Sequence, residues 1–284
     1  MSVQTCFPTV MTVLDQPETV DSTLAPILPF ARATGAHLRA LSLGVDATQA
    51  GYFVAGATAA IMSDETLQLA REDALEIKSR AEALLEKADI SFEVEATITQ
   101  SAGLGSVISA NAHFADLVIL PLPYGPNMGS EAPMIAEAAL FDGAAPVLVV
   151  PNGVDIPNPA RRIVIAWNNS AEALSAVRHA LGLLKAADEV DILVIDPERG
   201  HMNPAEPGAD LATWLSRHGV HANISLVPRR LGRVSDEIAR HLTDTKADLL
   251  VMGAYSHSRL REAIWGGATR DLLAEAKLPI LMAH

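Results

Sequence analysis

One cysteine, Cys6, is all that 284 residues offer, so neither an intrachain disulfide nor a thiolate metal cluster can be built. Aromatic side chains are scarce at 4%, which leaves the core to Ala, Leu, Val and Ile, as in layered α/β folds. Positive charge is also short: 21 Lys and Arg stand against 34 Asp and Glu. The formal net charge of -13 opposes broad electrostatic attraction to nucleic acid or anionic membranes. Long apolar runs are missing too. Those that stand out, such as Val147-Leu148-Val149-Val150, have the length of strands and fall far short of the roughly 20 residues a membrane helix needs. The start, Met1-Ser2-Val3-Gln4-Thr5-Cys6-Phe7-Pro8, has neither the basic opening nor the apolar segment of a secretory signal. The expectation is a soluble, cytoplasmic protein with no nucleic-acid or membrane partner, in which any phosphate site is a local feature.

What is present points to two similar domains. The length exceeds the common size of one domain, and 49% hydrophobic residues suffice for a sizeable core. Ala115-Asp116-Leu117-Val118-Ile119-Leu120 is matched by Ala247-Asp248-Leu249-Leu250-Val251-Met252, the mark of an internal duplication. Each half then ends alike, with a helical pattern, a proline and a short apolar strand at 147–150 and 280–283.

Apolar periodicity predicts strands at 9–14, 38–45, 91–98 and 117–120 in the first half, and at 162–167, 190–195, 222–227 and 248–252 in the second. Helices are expected at 19–33, 64–87, 105–114, 171–185, 209–218, 233–245 and 268–276, with Ser170 as an N-cap. Residues 46–63 and 196–208 read as loops, and the proline-rich stretch 152–159 as a linker. Domains are therefore expected at 1–151 and 160–284. Strand–helix alternation implies right-handed crossovers, a mostly parallel sheet in each domain, and sites at strand C-terminal ends.

The stretch that carries most chemical information runs from Asp248 to Thr269. A buried strand leads into Gly253, a loop follows, and Gly266 and Gly267 open a helix on whose first turn Thr269 stands. Glycine lets a ligand approach the backbone, and the free N–H groups and positive dipole end of the helix favour an anion such as phosphate. This pattern resembles the nucleotide loop of the universal stress protein family: a glycine, two residues, a glycine, nine residues, then Gly-Ser or Gly-Thr. Gly253 and Gly266 match that pattern, while Ser256 replaces its second glycine. Gly267 replaces the hydroxyl residue, leaving Thr269 as a displaced substitute. The family's Asp-Gly-Ser turn corresponds to Asn168-Asn169-Ser170, so Asn168 stands at the base-contacting position without the charge.

The resemblance implies two tandem doubly wound, Rossmann-like domains of about five strands each. They would pair through their last strands as an intrachain pseudo-dimer, with further homodimerisation left open. It also implies a stress-response binding or regulatory protein, with protein partners and an adenine nucleotide, ATP or AMP, in the second domain; the role of magnesium is left open. Asn168 would face the base. Gly253, Ser256 and Gly266 would lie near ribose and phosphates, and Gly267 and Thr269 would donate at the helix start. In the first half Pro121 takes the place of Gly253, while Pro123, Pro126 and Pro133 remove backbone donors and Gly125, Gly129 and Ser130 fall at another spacing. That copy is expected to keep the architecture, and Asp15, without the nucleotide site.

Other candidates have plainer explanations. Arg229, Arg230 and Arg233 form a basic cluster that would attract an anion, but the preferred reading is a solvated loop neutralising neighbouring carboxylates. His201, His218 and His221 lack metal-ligand spacing. His257 lies within the candidate loop, without a partner to mark it as an acid or base. No nucleophile elbow, Walker lysine or Cys/His dyad appears. Binding is therefore expected rather than catalysis, the alternatives being a protein-interaction module without nucleotide and a weak nucleotide hydrolase.

Overall fold

Apolar runs buried on both faces form parallel strands, and the amphipathic stretches between them form the covering helices, in a computed structural model of the protein. It describes residues 6–46, 57–125, 129–196, 207–254 and 267–284, with 57–63 and 267–268 by backbone alone. The chain divides into two units, Met1–Ala145 and Pro146–His284.

The first unit runs β1 (Thr9–Leu14), α1 (Val20–Thr34), β2 (His37–Asp46), α2 (Ala57–Leu85), β3 (Phe92–Gln100), α3 (Leu104–Ala112), β4 (Leu117–Pro121) and α4 (Ala132–Glu137), with a π-helical turn at Ala138–Asp142. Its strands lie in the order β3-β2-β1-β4, and the β1–β2, β2–β3 and β1–β4 pairs are parallel. Val10, Met11, Val13 and Leu14 of β1 are all buried, as a strand covered on both faces requires. Gly44 on β2 lies directly under α2. A Cβ there would stand 1.9 Å from the Ala70 carbonyl oxygen, so only hydrogen lets the helix settle on the sheet.

The second unit contains β5 (Val147–Val150), β6 (Arg162–Ala166), α5 (Ala171–His179), α6 (Leu181–Ala186), β7 (Glu189–Ile195), α7 (Ala209–Arg217), β8 (Ala222–Val227), α8 (Val234–Thr245), β9 (Leu249–Gly253), α9 (Gly267–Glu275) and β10 (Ile280–Ala283). Its order is β5-β10-β9-β6-β7-β8. β10–β9, β9–β6, β6–β7 and β7–β8 are parallel, and β5 adds antiparallel to β10 with Val149 opposite Ile280 and Val147 opposite Met282. The chain is thus an α/β protein with mostly parallel sheets.

The duplicated Ala-Asp-Leu motif makes the same local structure twice. In the first unit the Asp116 carboxylate accepts the Thr9 N–H at 2.8 Å while its own N–H donates to the Thr9 carbonyl at 2.9 Å. In the second, Asp248 accepts from the N–H groups of Arg161 and Arg162 at 2.8 and 3.0 Å and donates to the Arg162 carbonyl at 3.0 Å. Each aspartate thereby ties the start of one central strand to the start of its neighbour, where the backbone donors would otherwise be unpaired.

Two expectations need correcting. Residues 57–63, read as loop, belong to α2: their alanines give no amphipathic period, yet alanine has the strongest intrinsic helix preference. The single helix expected over 171–185 breaks at Ala180 into α5 and α6, beside Gly182, whose backbone freedom weakens a helix interior. Among the described residues no helix is long and apolar enough to cross a membrane.

At the C-terminal ends of β1 and β4 the first unit encloses an acidic pair. A Cβ on Gly129 would stand 3.0 Å from Asp15 Oδ2 and 3.4 Å from Glu131 Oε2, so both carboxylates crowd one point. Burial pushes the Asp15 carboxyl above its ordinary range; a backbone hydrogen bond opposes this, and the Glu131 charge adds to it. A raised folded-state value means that the folded protein holds the proton more tightly than the unfolded chain. The stabilising contribution is then complete below the ordinary value of 3.8 and disappears as pH rises through the raised one.

Asp15→Asn is accordingly expected to raise the thermal midpoint at pH 7, with the gain shrinking as pH falls towards 4; an unchanged or lower midpoint at pH 7 would contradict this. Asp248→Ala, which leaves two strand-start donors without their acceptor, is expected to cost about 1 kcal/mol in urea denaturation. A loss indistinguishable from zero would show that water replaces the carboxylate without penalty.

Candidate nucleotide site

In the second unit β6 and β9 are neighbours, with Ala166 opposite Met252. From β6 the chain passes to β7 on one side, and from β9 it passes to β10 on the other. The order reverses between them, which is where an open α/β sheet leaves a crevice outside its strand ends. Both segments singled out in the sequence leave the sheet at this point: 168–170 after β6, and the loop opened by Gly253 after β9.

The turn after β6 is built by its own side chains. Asn168 Oδ1 accepts the Ser170 N–H at 3.2 Å, an Asx turn, and Asn169 takes the left-handed conformation at φ 59°. Ser170 Oγ then accepts the Ala173 N–H at 3.1 Å and caps α5, as expected. Asn168 is exposed, and the NH2 of the same side chain adds donor capacity that an aspartate would lack.

Gly253 meets the first turn of α5. A Cβ at this position would lie 2.4 Å from the Ala173 nitrogen, 2.7 Å from the Glu172 carbonyl carbon and 2.9 Å from the Ala173 Cα. Glycine is therefore demanded here by helix-on-strand packing, before any ligand is considered. The next residue is fixed as well: the Ala254 N–H donates to the Ala283 carbonyl at 2.9 Å, and His284 Nδ1 lies 2.9 Å from the Ala254 carbonyl oxygen. Gly267 is the first residue of α9, and Thr269 on its first turn is 8% exposed. Ser256 and Gly266 lie outside the described residues, as do His257, Arg259, Arg261 and Trp265.

The arginine cluster is bound to the protein itself. Arg233 contacts Asp236 at 3.1 Å and Asp271 at 3.0 Å, joining α8 to α9, and these carboxylates, Asp236 foremost, hold its guanidinium above the usual range. Arg229 Nε donates to the Gly232 carbonyl at 2.7 Å. The buried Glu237 carboxylate accepts the Arg230 and Leu231 N–H groups and contacts Arg240 at 2.8 Å. Burial pushes its carboxyl upward, but the two backbone donors and the Arg240 charge outweigh this and leave it below the usual range. Arg233 thus has the neighbouring carboxylates that the plainer reading requires.

One polar cluster escaped the sequence reading. Asp191 on β7 receives the Ser225 hydroxyl at 2.8 Å and lies 2.5 Å from His241 Nε2 on α8. The carboxylate stands between hydroxyl and imidazole, whereas nucleophilic catalysis needs the imidazole next to the hydroxyl. The trio fastens α8 to the sheet. Among the described residues no three His, Cys, Asp or Glu side chains group as metal ligands.

Comparison with known proteins fits this architecture. Residues 159–284 match the model of the universal stress protein family. A universal stress protein of the cyanobacterium Synechocystis, Slr1230, is 26% identical over 123 residues, spanning 42% of this chain and 41% of that relative. The match thus spans less than half of that relative's length. Among solved structures, a universal stress protein from Archaeoglobus fulgidus superposes with a TM-score of 0.66 at 15% identity, covering 99% of this chain and 97% of that one. A putative universal stress protein from Pseudomonas aeruginosa gives 0.59 at 15% identity, with 98% and 93% covered. At these identities the structural likeness is one of fold. In sequence, the similarity to the universal stress protein family runs through residues 159–284.

Proposed function

We propose that this chain is a stress-response binding or regulatory protein whose second unit holds an adenine nucleotide, ATP or AMP, in the crevice between β6 and β9. The observation that carries the reading is the order reversal at those strands, beyond whose C-terminal ends Asn168 follows β6 and Gly253 closes β9. Asn168 would meet the base through its side-chain NH2, its Oδ1 being used within the turn. The N–H groups at the start of α9, at Gly267 and Thr269, would face phosphate, with Ser256 and Gly266 contributing from the loop. No Walker-type lysine accompanies them, so the phosphate charge would be met mainly by main-chain donors, which hold a nucleotide without accelerating its hydrolysis.

On the same reading the chain is a duplication with repeats at 1–151 and 160–284, supported by the twin aspartate clasps of Asp116 and Asp248. The strand β5 would close the first repeat, and its antiparallel pairing with β10 would be the pseudo-dimer seam. The first repeat's counterpart of the crevice carries Asp15 and Glu131 together, an acidic corner unsuited to phosphate. A protein-interaction module without nucleotide is the second reading. It is favoured by Gly253, whose lack of a side chain the packing of α5 already explains.

Titration of the protein with MgATP and with AMP is expected to change tryptophan emission saturably, because Trp167 adjoins Asn168 and Trp265 adjoins Gly266 in the chain. Gly266→Val is expected to abolish the change while leaving the circular dichroism spectrum intact. Prolonged incubation with ATP should release little phosphate. A flat titration at millimolar nucleotide would leave the interaction module as the function, and brisk phosphate release would make the protein a hydrolase. By contrast, Gly253→Ala is expected to destabilise the second unit by about 1–3 kcal/mol through overpacking, with or without nucleotide.

A further inference from the structure

Arg39 and Asp191 hold the same place in two like triplets of parallel strands. Arg39 is the third residue of β2, opposite Met11 on β1 and Glu93 on β3. Asp191 is the third residue of β7, opposite Val164 on β6 and Asn223 on β8. Both side chains reach the helix that follows the outer strand: Arg39 bonds to Asn111 on α3, and Asp191 lies against His241 on α8. The correspondence is one of register alone.

In the first unit a guanidinium fills this place. Arg39 Nε donates to Glu93 Oε1 at 2.5 Å, and Nη1 and Nη2 donate to the Asn111 carbonyl and side-chain oxygens at 3.3 and 3.4 Å. The cavity that remains beside Arg39 is about 10 Å³, too little for more than a single water. In the second unit the shorter Asp191 side chain borders a cavity of about 210 Å³. Val164, Asn223 and Ser225 line it where Met11, Glu93 and Glu95 line the small one. None of its lining residues belongs to the proposed nucleotide site, which lies past the C-terminal ends of β6 and β9.

The chemistry of the walls points to a cation. Asp191 is 17% exposed; one of its oxygens takes the Ser225 hydroxyl and the other faces His241, which leaves each oxygen a further acceptor direction. His241 itself does not line the cavity. Ser225 Oγ and the exposed Asn223 side chain add acceptors from β8, and Ile163, Val164 and Val190 supply apolar surface for an alkyl stem. Arg162 and Glu189 pair with each other at 3.3 Å, so Asp191 is the carboxylate the cavity presents. The net charge of -13 draws cations towards the protein in general. A guanidinium spreads its charge over a planar fork of donors, which suits acceptors on neighbouring strands, whereas an ammonium is a compact and strongly hydrated point.

We propose that this cavity binds the guanidinium group of a small alkylguanidine or of an arginine side chain. The group would sit on Asp191 with Ser225 and Asn223 alongside, as the Arg39 guanidinium sits on Glu93 and Asn111 in the first unit.

Nuclear magnetic resonance titration of the full chain with propylguanidinium, propylammonium and propylurea tests the assignment. Propylguanidinium is expected to shift the amide signals of Asp191 and Ser225 saturably, the ammonium to bind several-fold more weakly, and the neutral urea not to bind. Nα-acetylarginine amide presents the same group from a peptide frame and separates the two sources. Affinity equal to that of propylguanidinium assigns the site to an arginine side chain, and weaker binding assigns it to a free alkylguanidine. Asn223 is exposed, so its charge can be changed without disturbing the core. Asn223→Asp should tighten propylguanidinium several-fold, and Asn223→Lys should weaken it at least tenfold. Asp191→Arg combined with Asn223→Glu copies the first unit's pair and should abolish binding, with circular dichroism verifying the fold. The proposal is overturned if the urea or the ammonium binds as tightly as the guanidinium, if millimolar propylguanidinium leaves both signals in place, or if Asn223→Lys binds it undiminished.

Discussion

The second unit depends on a contact between backbones. At the end of β9 the first turn of α5 lies so close that a single methyl group at Gly253 would meet the Ala173 nitrogen at 2.4 Å. That approach lets the cap at Ser170 close against the sheet, and the cap in turn fixes the Asx turn of Asn168. The same glycine therefore decides where α5 begins and how the chain leaves β6, while also opening the loop after β9. A residue that looks like a ligand contact in the sequence is first a packing residue, and any ligand at this edge uses a surface that the packing has already shaped.

The repeated motif shows how one sequence solution serves two units. Asp116 and Asp248 both precede a strand buried on each face, and both use the carboxylate and the main chain to hold the start of the adjacent strand. What differs lies at the other end of those strands. The first unit places Asp15 and Glu131 together, where burial and like charge work against ionisation. The second has an uncharged Asn168 just past β6 and Gly253 at the end of its neighbour β9. Strand ends in the two units thus differ in electrostatic character, which is how function comes to reside in sites rather than folds.

Much of the fold was legible. The limits of β1, β5, β8 and β10 follow from short apolar runs bounded by turn residues and prolines, and Ser170 was readable as a cap from its position before an amphipathic run. Less legible were the alanine-rich start of α2, where small residues produce no amphipathic signal, and the break at Ala180, where no proline marks the interruption. The proposed site was only half legible. Asn168 and Gly253 could be named from spacing, but the cap-and-packing chain that connects them joins residues more than eighty positions apart.

By itself the sequence determined the alternation of strands and helices and the repeated Ala-Asp-Leu motif, because these are written in local periodicity and short motifs. The tertiary structure alone decided which strands become neighbours and that the order reverses between β6 and β9. It also brought Asp191, Ser225 and His241 together on one clamp. Local pattern fixes the direction in which each side chain points from its own element. Which groups then meet is set by crossovers and by the close approach of helices to the sheet, and these depend on residues far apart in the chain.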